Sequence, residues 1–321
     1  MVYRKIGKSE AMSLKRKNNI WLFLVLLGMF VATAVVVCCI LCVDNFSEGD
    51  DQSEVEDSEA EVLVTQDLEL LNPDVKSETQ KIDFQPVVEE WAESIGGDKG
   101  VFIYDLDRDE TAANYNSTEK YSTASLYKLF VVYEGYRRLE GGEWQADAPA
   151  GSTGYTIKEC LDLAIRQSHS PCAETIWREI GHEELQKIVE EEFGVSDTSV
   201  GNLVSTPEDI AAMLKIYYYH SDIENADLVA QMKDSFLTQP ITEYNWRQGL
   251  PSGFSRANVY NKVGWDYNPN GGYWNIYDDA AIVEFSEDKR NFIVVVMTNH
   301  VSYQQVRTLG TMIENQYVLK N

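Results

Sequence analysis

The order of hydrophobic periods along the chain predicts an α+β fold: a five-stranded antiparallel sheet flanked by N- and C-terminal helices, with an inserted all-helical lobe and one transmembrane helix in front. Three observations predict it. Apolar spacing runs helix, two strands, a long helical middle, three strands, helix. An uncharged apolar run fills residues 19–43, and an acidic stretch separates it from the first globular pattern. The chain thus divides into a basic cytoplasmic tail, 1–18, the transmembrane helix, 19–43, an acidic disordered linker, 44–82, and a folded domain, 83–321.

The run from Asn19 to Val43 is rich in Leu, Val, Ile and Phe, and its length matches what a helix needs to cross about 30 Å of hydrocarbon. Trp21 sits where an interfacial aromatic belongs. Arg4, Lys5, Lys8, Lys15, Arg16 and Lys17 precede the run against Glu10 alone, and acid follows it. The positive-inside rule therefore puts the N-terminus in the cytoplasm and the domain outside a cell membrane crossed once. A cleaved signal peptide would have a shorter apolar core and a small-x-small cleavage site, and VVVCCILCVDN has none. Nor do small residues precede Cys38, Cys39 or Cys42 as in a lipoprotein signal, so the segment reads as an uncleaved anchor. DNFSEGDDQSEVEDSEAE repels itself and has too little apolar surface to fold, which makes it a tether.

From Phe84 the composition turns globular. PVVEEWAESIGG is an amphipathic helix ending at a glycine pair, and GVFIYDLDRDETAANYN reads as a hairpin with DRDE at its turn. TIKECLDLAIRQS, CAETIWREI, HEELQKIVEEEF and TPEDIAAMLKIYYY each repeat every three to four residues; Thr206 is an N-cap with Pro207 at the first helical position. NVYNKVGWDY, GYWNIYDDAAIVEF and NFIVVVMTNH, parted by NPNGG and SEDKR, form an antiparallel meander, and SYQQVRTLGTMIENQYVL is the last helix.

The net charge of −25 over 321 residues excludes nucleic acid as a partner, because neutralising phosphates needs clustered Lys and Arg. The compartment permits a disulfide between Cys160 and Cys172, and two buried thiols remain the alternative. The histidines are scattered without ligand spacing, so no metal or other cofactor is expected.

The chemistry starts from YSTASLYKLF. Ser125 and Lys128 are three residues apart, on one helix face. A partly desolvated lysine there can lose enough basicity to take the serine proton. The Ser125 backbone N–H, at a helix start, would face a developing oxyanion. Alone the pair is weak, since the spacing recurs by chance in a chain this long. Two elements follow in order: Ser168-His169-Ser170 at a turn between helices, and Lys262-Val263-Gly264 on a strand. Both can point into a cleft between lobe and sheet.

This ordered set resembles the penicillin-recognising serine enzymes, nearest to class A beta-lactamases, which carry SxxK, SDN and KTG on these same elements. GVFIYDLDRDETAANYNSTEKYSTASLYKL, TIKECLDLAIRQSHSPCAETIWREIG, STPEDIAAML and RQGLPSG extend the resemblance from Pro86 to the C-terminus. It implies a beta-lactamase/transpeptidase-like fold and a beta-lactam or peptidoglycan-like small substrate. It also implies Ser125 as acylated nucleophile, Lys128 as its base and Ser168 as proton relay to the leaving nitrogen. Lys262 would bring positive charge to the substrate carboxylate. Ser170, Gly264 and Trp265 would bind substrate, the N–H of Trp265 completing the oxyanion hole with that of Ser125.

The chain departs from the family pattern in three places. His169 and Ser170 stand for the Asp and Asn of SDN, and Ser170 lacks the amide's paired donor and acceptor. Val263 removes a hydroxyl that would help hold the substrate carboxylate. The segment GVSDTSVGNLVS has no glutamate and no ExxLN pattern, which removes the family's water-activating base. His169 reads more readily as a helix-turn residue than as a titrating one. The tyrosines 217–219 and the group Trp265, Tyr267, Tyr273 and Trp274 read as packing rather than as a ligand wall. Three functions follow: a beta-lactamase-like hydrolase, a D,D-peptidase-like enzyme separated from it by turnover, and a degenerate domain that binds peptidoglycan or a partner without chemistry.

Overall fold

The computed structural model describes residues 80–237, 247–268 and 273–320, without the side chains of 267–268 and 273–275. These residues belong to one unit, Asn72–Asn321. The expected basic tail, membrane helix and acidic tether up to residue 79 lie outside the described residues, as do the side chains of Tyr267, Tyr273 and Trp274. Among the described residues no helix is long and apolar enough to cross a membrane.

Helix α1 (Gln85–Ser94) leads into the hairpin β1 (Asp98–Asp105) and β2 (Glu110–Tyr115). A two-residue strand β3 (Tyr121–Ser122) and a 3-10 turn (Ala124–Tyr127) pass into α2 (Lys128–Glu140). The lobe continues with α3 (Ile157–Arg166), α4 (Ser170–Ile180) and α5 (His182–Glu191). After the short strand β4 (Val204–Ser205) come α6 (Pro207–Tyr219) and α7 (Ala226–Leu237). Strands β5 (Ala257–Asn268), β6 (Tyr273–Phe285) and β7 (Asn291–Asn299) and helix α8 (Tyr303–Lys320) close the chain. The sheet order β2-β1-β7-β6-β5 is antiparallel throughout. The expected α+β architecture is therefore present, with the lobe between the second and third long strands.

Strand β7 shows why two layers can cover this sheet. Its Ile293, Val295 and Met297 enter the core shared with the lobe, whereas Phe292, Val294 and Val296 enter the core under α1 and α8. Successive side chains of a strand point to opposite faces, so a central strand buried on both sides reads as an unbroken apolar run. Ile82, buried before α1, belongs to the second core, and Trp91 Nε1 ties α1 to α8 by donating to Gln305 O at 2.7 Å. Caps fix the lobe: Thr156 and Glu159 form a reciprocal capping box, and Thr206 accepts from Asp209 N–H ahead of Pro207.

Two features were not expected. Helix α7, from Ala226, was not read from the sequence, where AlaAspLeuValAla carries little polar contrast. The β3–β4 ladder pairs Tyr121 with Ser205 and Ser122 with Val204, fixing the segment ahead of Ser125 against the entry to α6. The cysteines form a disulfide, Cys160 of α3 to Cys172 of α4.

Candidate active site

Ser125 lies in the 3-10 turn, three residues before α2 begins at Lys128. The residue ahead of it, Ala124, is held at φ 40, a left-handed conformation that costs a residue with a Cβ. Ser168 has φ 52 and sits between α3 and α4. Both outliers aim neighbouring hydroxyls at one point. Gly264 explains how strand and turn meet: a Cβ there would stand 2.7 Å from Thr123 O and 3.0 Å from Asp278 Oδ2. Only a residue without a side chain lets β5 run this close beneath the turn.

Lys128 is fully buried and is the hub. Its Nζ donates to Ser125 Oγ at 3.2 Å, Ser168 O at 2.6 Å, Ser168 Oγ at 3.2 Å and Ser170 Oγ at 3.0 Å. Lys262 Nζ donates to the same Ser168 Oγ at 3.0 Å and to Val263 O at 2.7 Å. Polar atoms thus form an unbroken chain: Ser125 Oγ, Lys128 Nζ, Ser168 Oγ, Lys262 Nζ. Burial pushes Lys128 down to about 8, against the opposing charge of Glu174. Burial first, then repulsion from Lys128, drives Lys262 well below an ordinary lysine, against the pull of Asp279. Both causes disfavour the positive charge expected of Lys262.

The structure brings Ser125, Lys128, Ser168, Ser170 and Lys262 together, with Gly264 packed beneath. Trp265, one residue on, lies on the edge strand, 39% exposed. Val263 faces the other way: it is buried with Val259 and Ala281 in the core under α8. A threonine there would not present its hydroxyl to Ser125, so the exchange says less about substrate binding than its place in the motif suggests. His169 caps α4, Nδ1 accepting from Cys172 N–H at 3.3 Å, with its ring edge-on to Tyr155. Tyr217 is core, its hydroxyl donating to Leu129 O at 2.8 Å, while Tyr219 is exposed.

Three carboxyl groups near the turn escaped the sequence reading. Asp278 lies opposite Gly264; its Oδ1 accepts from Thr298 N–H at 2.7 Å, and burial pushes it well above an ordinary aspartate. Asp279 faces the α8 side, accepting from Asn261 Nδ2 and Leu250 N–H, each at 2.8 Å, and burial raises it to about 7. Glu174 of α4 accepts the Tyr127 hydroxyl at 2.7 Å. Its signal in the sequence was helical spacing, one turn after Ser170. A cavity of about 710 Å³ adjoins the turn on the side of Ser122 and Asp266; Ser125 is not in its walls. Among the described residues no group of His, Cys, Asp and Glu could hold a metal ion.

With this geometry established, residues 83–316 match the Beta-lactamase enzyme family. The chain belongs to that family. As a member of it the domain is a beta-lactamase-like serine hydrolase in sequence class, and solved structures agree on the fold. A beta-lactamase from Burkholderia vietnamiensis aligns at TM-score 0.64 and 16% identity, covering 74% of this chain and 97% of that one. The class A beta-lactamase of the last common ancestor of Gram-negative bacteria aligns at 0.62 and 16%, covering 72% and 99%. One from Xanthomonas campestris pv. campestris aligns at 0.60 and 15%, covering 72% and 97%. No curated protein matches the sequence.

Proposed function

We propose that this beta-lactamase family member is an acyl-serine hydrolase in which Ser125 attacks the carbonyl of a beta-lactam or a related cell-wall amide while Lys128 takes its proton. The observation that carries this is the 3.2 Å contact of Lys128 Nζ with Ser125 Oγ, made by a lysine pushed down to about 8 by burial. About a tenth of such a lysine is neutral at pH 7 and able to accept a proton. Ser168, bonded to both lysines, passes the proton to the leaving nitrogen. Lys262 regains its charge when a substrate carboxylate enters, so the site favours anionic substrates. The Ser125 and Trp265 N–H groups receive the oxyanion, and Ser170 meets the substrate beside Lys128.

The domain acts outside the cell membrane, on an anchor formed by residues 19–43 with its N-terminus in the cytoplasm. The flanking charges support this, and so does the Cys160–Cys172 bridge, which persists in oxidising compartments. Membranes carrying the full chain should bind a fluorescent penicillin at Ser125, and Ser125→Ala should abolish the label; a label retained by that variant removes Ser125 as nucleophile. Nitrocefin consumed only once per site would favour a D,D-peptidase-like enzyme, a reading supported by the glutamate-free segment 194–205. A wild-type protein that takes no label would favour a binding domain.

A further inference from the structure

An acyl-enzyme at Ser125 is released only if something deprotonates water beside it; Glu192 after α5 is paired with Arg137 at 2.7 Å, and the segment 194–205 has no glutamate. Its aspartate, Asp197, forms an ion pair with Lys120 at 3.2 Å. Asp278 is sealed under the turn and kept neutral by burial. We propose that Glu174, on α4 and not on the loop, is the general base that activates water to release the acyl group from Ser125. The proposal rests on the acyl-enzyme reading above.

Three observations carry it. First, Glu174 lies four residues after Ser170 on α4, and residues so spaced share a helix face. Ser170 Oγ accepts from Lys128 Nζ at 3.0 Å, so that face is turned toward the catalytic lysine. Second, the carboxylate is tied to the nucleophile's own turn: Tyr127, two residues past Ser125, donates its hydroxyl to Glu174 Oε1 at 2.7 Å. Burial and Glu174 itself keep the Tyr127 hydroxyl protonated, so it acts as a donor to the carboxyl oxygen. Among the described residues no group donates to Oε2, and Glu174 is half-buried, so a water can reach it. Third, its charge opposes the depression of Lys128, which places it within electrostatic reach of Nζ.

The step balances as follows. Glu174 takes one proton from water as the water oxygen bonds to the acyl carbonyl carbon. Collapse of the tetrahedral adduct breaks the bond to Ser125 Oγ, which receives by way of Lys128 the proton that Glu174 took from water, leaving Lys128 neutral and Glu174 free again. The products are a carboxylic acid and the free serine.

The test uses the full chain in detergent, benzylpenicillin, and intact-mass spectrometry of the adduct over time. Glu174→Gln should be acylated within about threefold of the wild-type rate, while its adduct lives about a hundredfold longer, the low end for a lost general base. Glu174→Asp should fall between the two. Hydroxylamine, which needs no base to attack an ester, should shorten the Glu174→Gln lifetime toward that of wild type. A purely structural role would not restore release with hydroxylamine while leaving acylation near the wild-type rate. Equal adduct lifetimes in wild type and Glu174→Gln overturn the role of Glu174 while leaving acylation at Ser125 standing. Failure of Glu174→Gln to acylate overturns it too. A wild type that takes no adduct overturns both readings.

Discussion

Arg290 and the pair Lys128 and Lys262 are cations buried in the same domain on opposite terms. Arg290 meets Asp105, itself an acceptor from Asp107 N–H and Arg108 N–H, each at 3.1 Å, and also donates to Gln80 O at 2.7 Å. Its guanidinium lies over the Phe292 ring at 5.2 Å. Lys128 and Lys262 have hydroxyl and carbonyl oxygens but no carboxylate in contact, and they share Ser168 Oγ. Pairing opposite charges makes burial tolerable, whereas pairing like ones turns burial into a drive to lose protons. The first arrangement stabilises the fold; the second makes a base.

The largest expected effect tests the second half of that contrast. Lys128→Met should slow acylation by about ten-thousandfold, the upper end for a lost general base, without lowering the melting temperature, because it removes a buried charge that no carboxylate contacts. In wild type the acylation rate should rise with pH and level off above about 8, where Lys128 has lost its proton. Labelling rates across pH and a thermal melt decide it. A melting temperature that drops sharply would show that the lysine holds the fold together.

Arg290→Met should do the converse. It leaves Asp105 buried without its cation, and breaking a buried pair this way costs about 3–5 kcal/mol. Melting should fall by about 10 °C for a domain of this size. Labelling of Ser125, measured well below the transition, should be unchanged. A variant that melts normally but no longer labels would erase the distinction between the two centres.

What was legible in the sequence follows the same division. The order of elements was, because strand and helix periods are local: the meander of β5, β6 and β7 and the cap at Thr206 depend on residues a few positions apart. The serine and lysine of the first motif were legible for that reason as well. Lys262 was found by its place on a strand, but its loss of charge was not, since that depends on Ser168 and Lys128, 94 and 134 residues away in the chain (262 − 168 and 262 − 128). Glu174 was missed because its tie to Tyr127 spans 47 residues, and its helical spacing from Ser170 does not by itself show what it meets. Val263 was read as part of the motif, yet strand alternation turns it into the opposite core, away from Ser125. The Cys160–Cys172 bridge was left open because it depends on how α3 and α4 pack, 4.8 Å apart at Cα.

Asp279 falls between the two kinds of buried charge and gives the smallest effect. It accepts two neutral N–H donors and feels Arg247 and Lys262 only at a distance, so burial prevails and raises it to about 7. Its folded value exceeds its unfolded one, so between about pH 4 and 7 the folded state holds more protons than the unfolded state. The stability this group contributes is therefore complete below about pH 4 and is lost as pH rises toward 7. The shift converts to about 4 kcal/mol. About half of that should appear, because Lys262 takes up part of the charge change on the other side of β5. Asp279→Asn keeps an acceptor for one of the two donors and cannot ionise, so the difference in unfolding free energy between wild type and variant should shrink or reverse by about 2 kcal/mol from pH 4 to 7. Urea titrations of both proteins at the two pH values measure it. A difference independent of pH would mean that Asp279 is ionised in the folded state, with Lys262 charged beside it, and the site would then hold its cation before any substrate arrives.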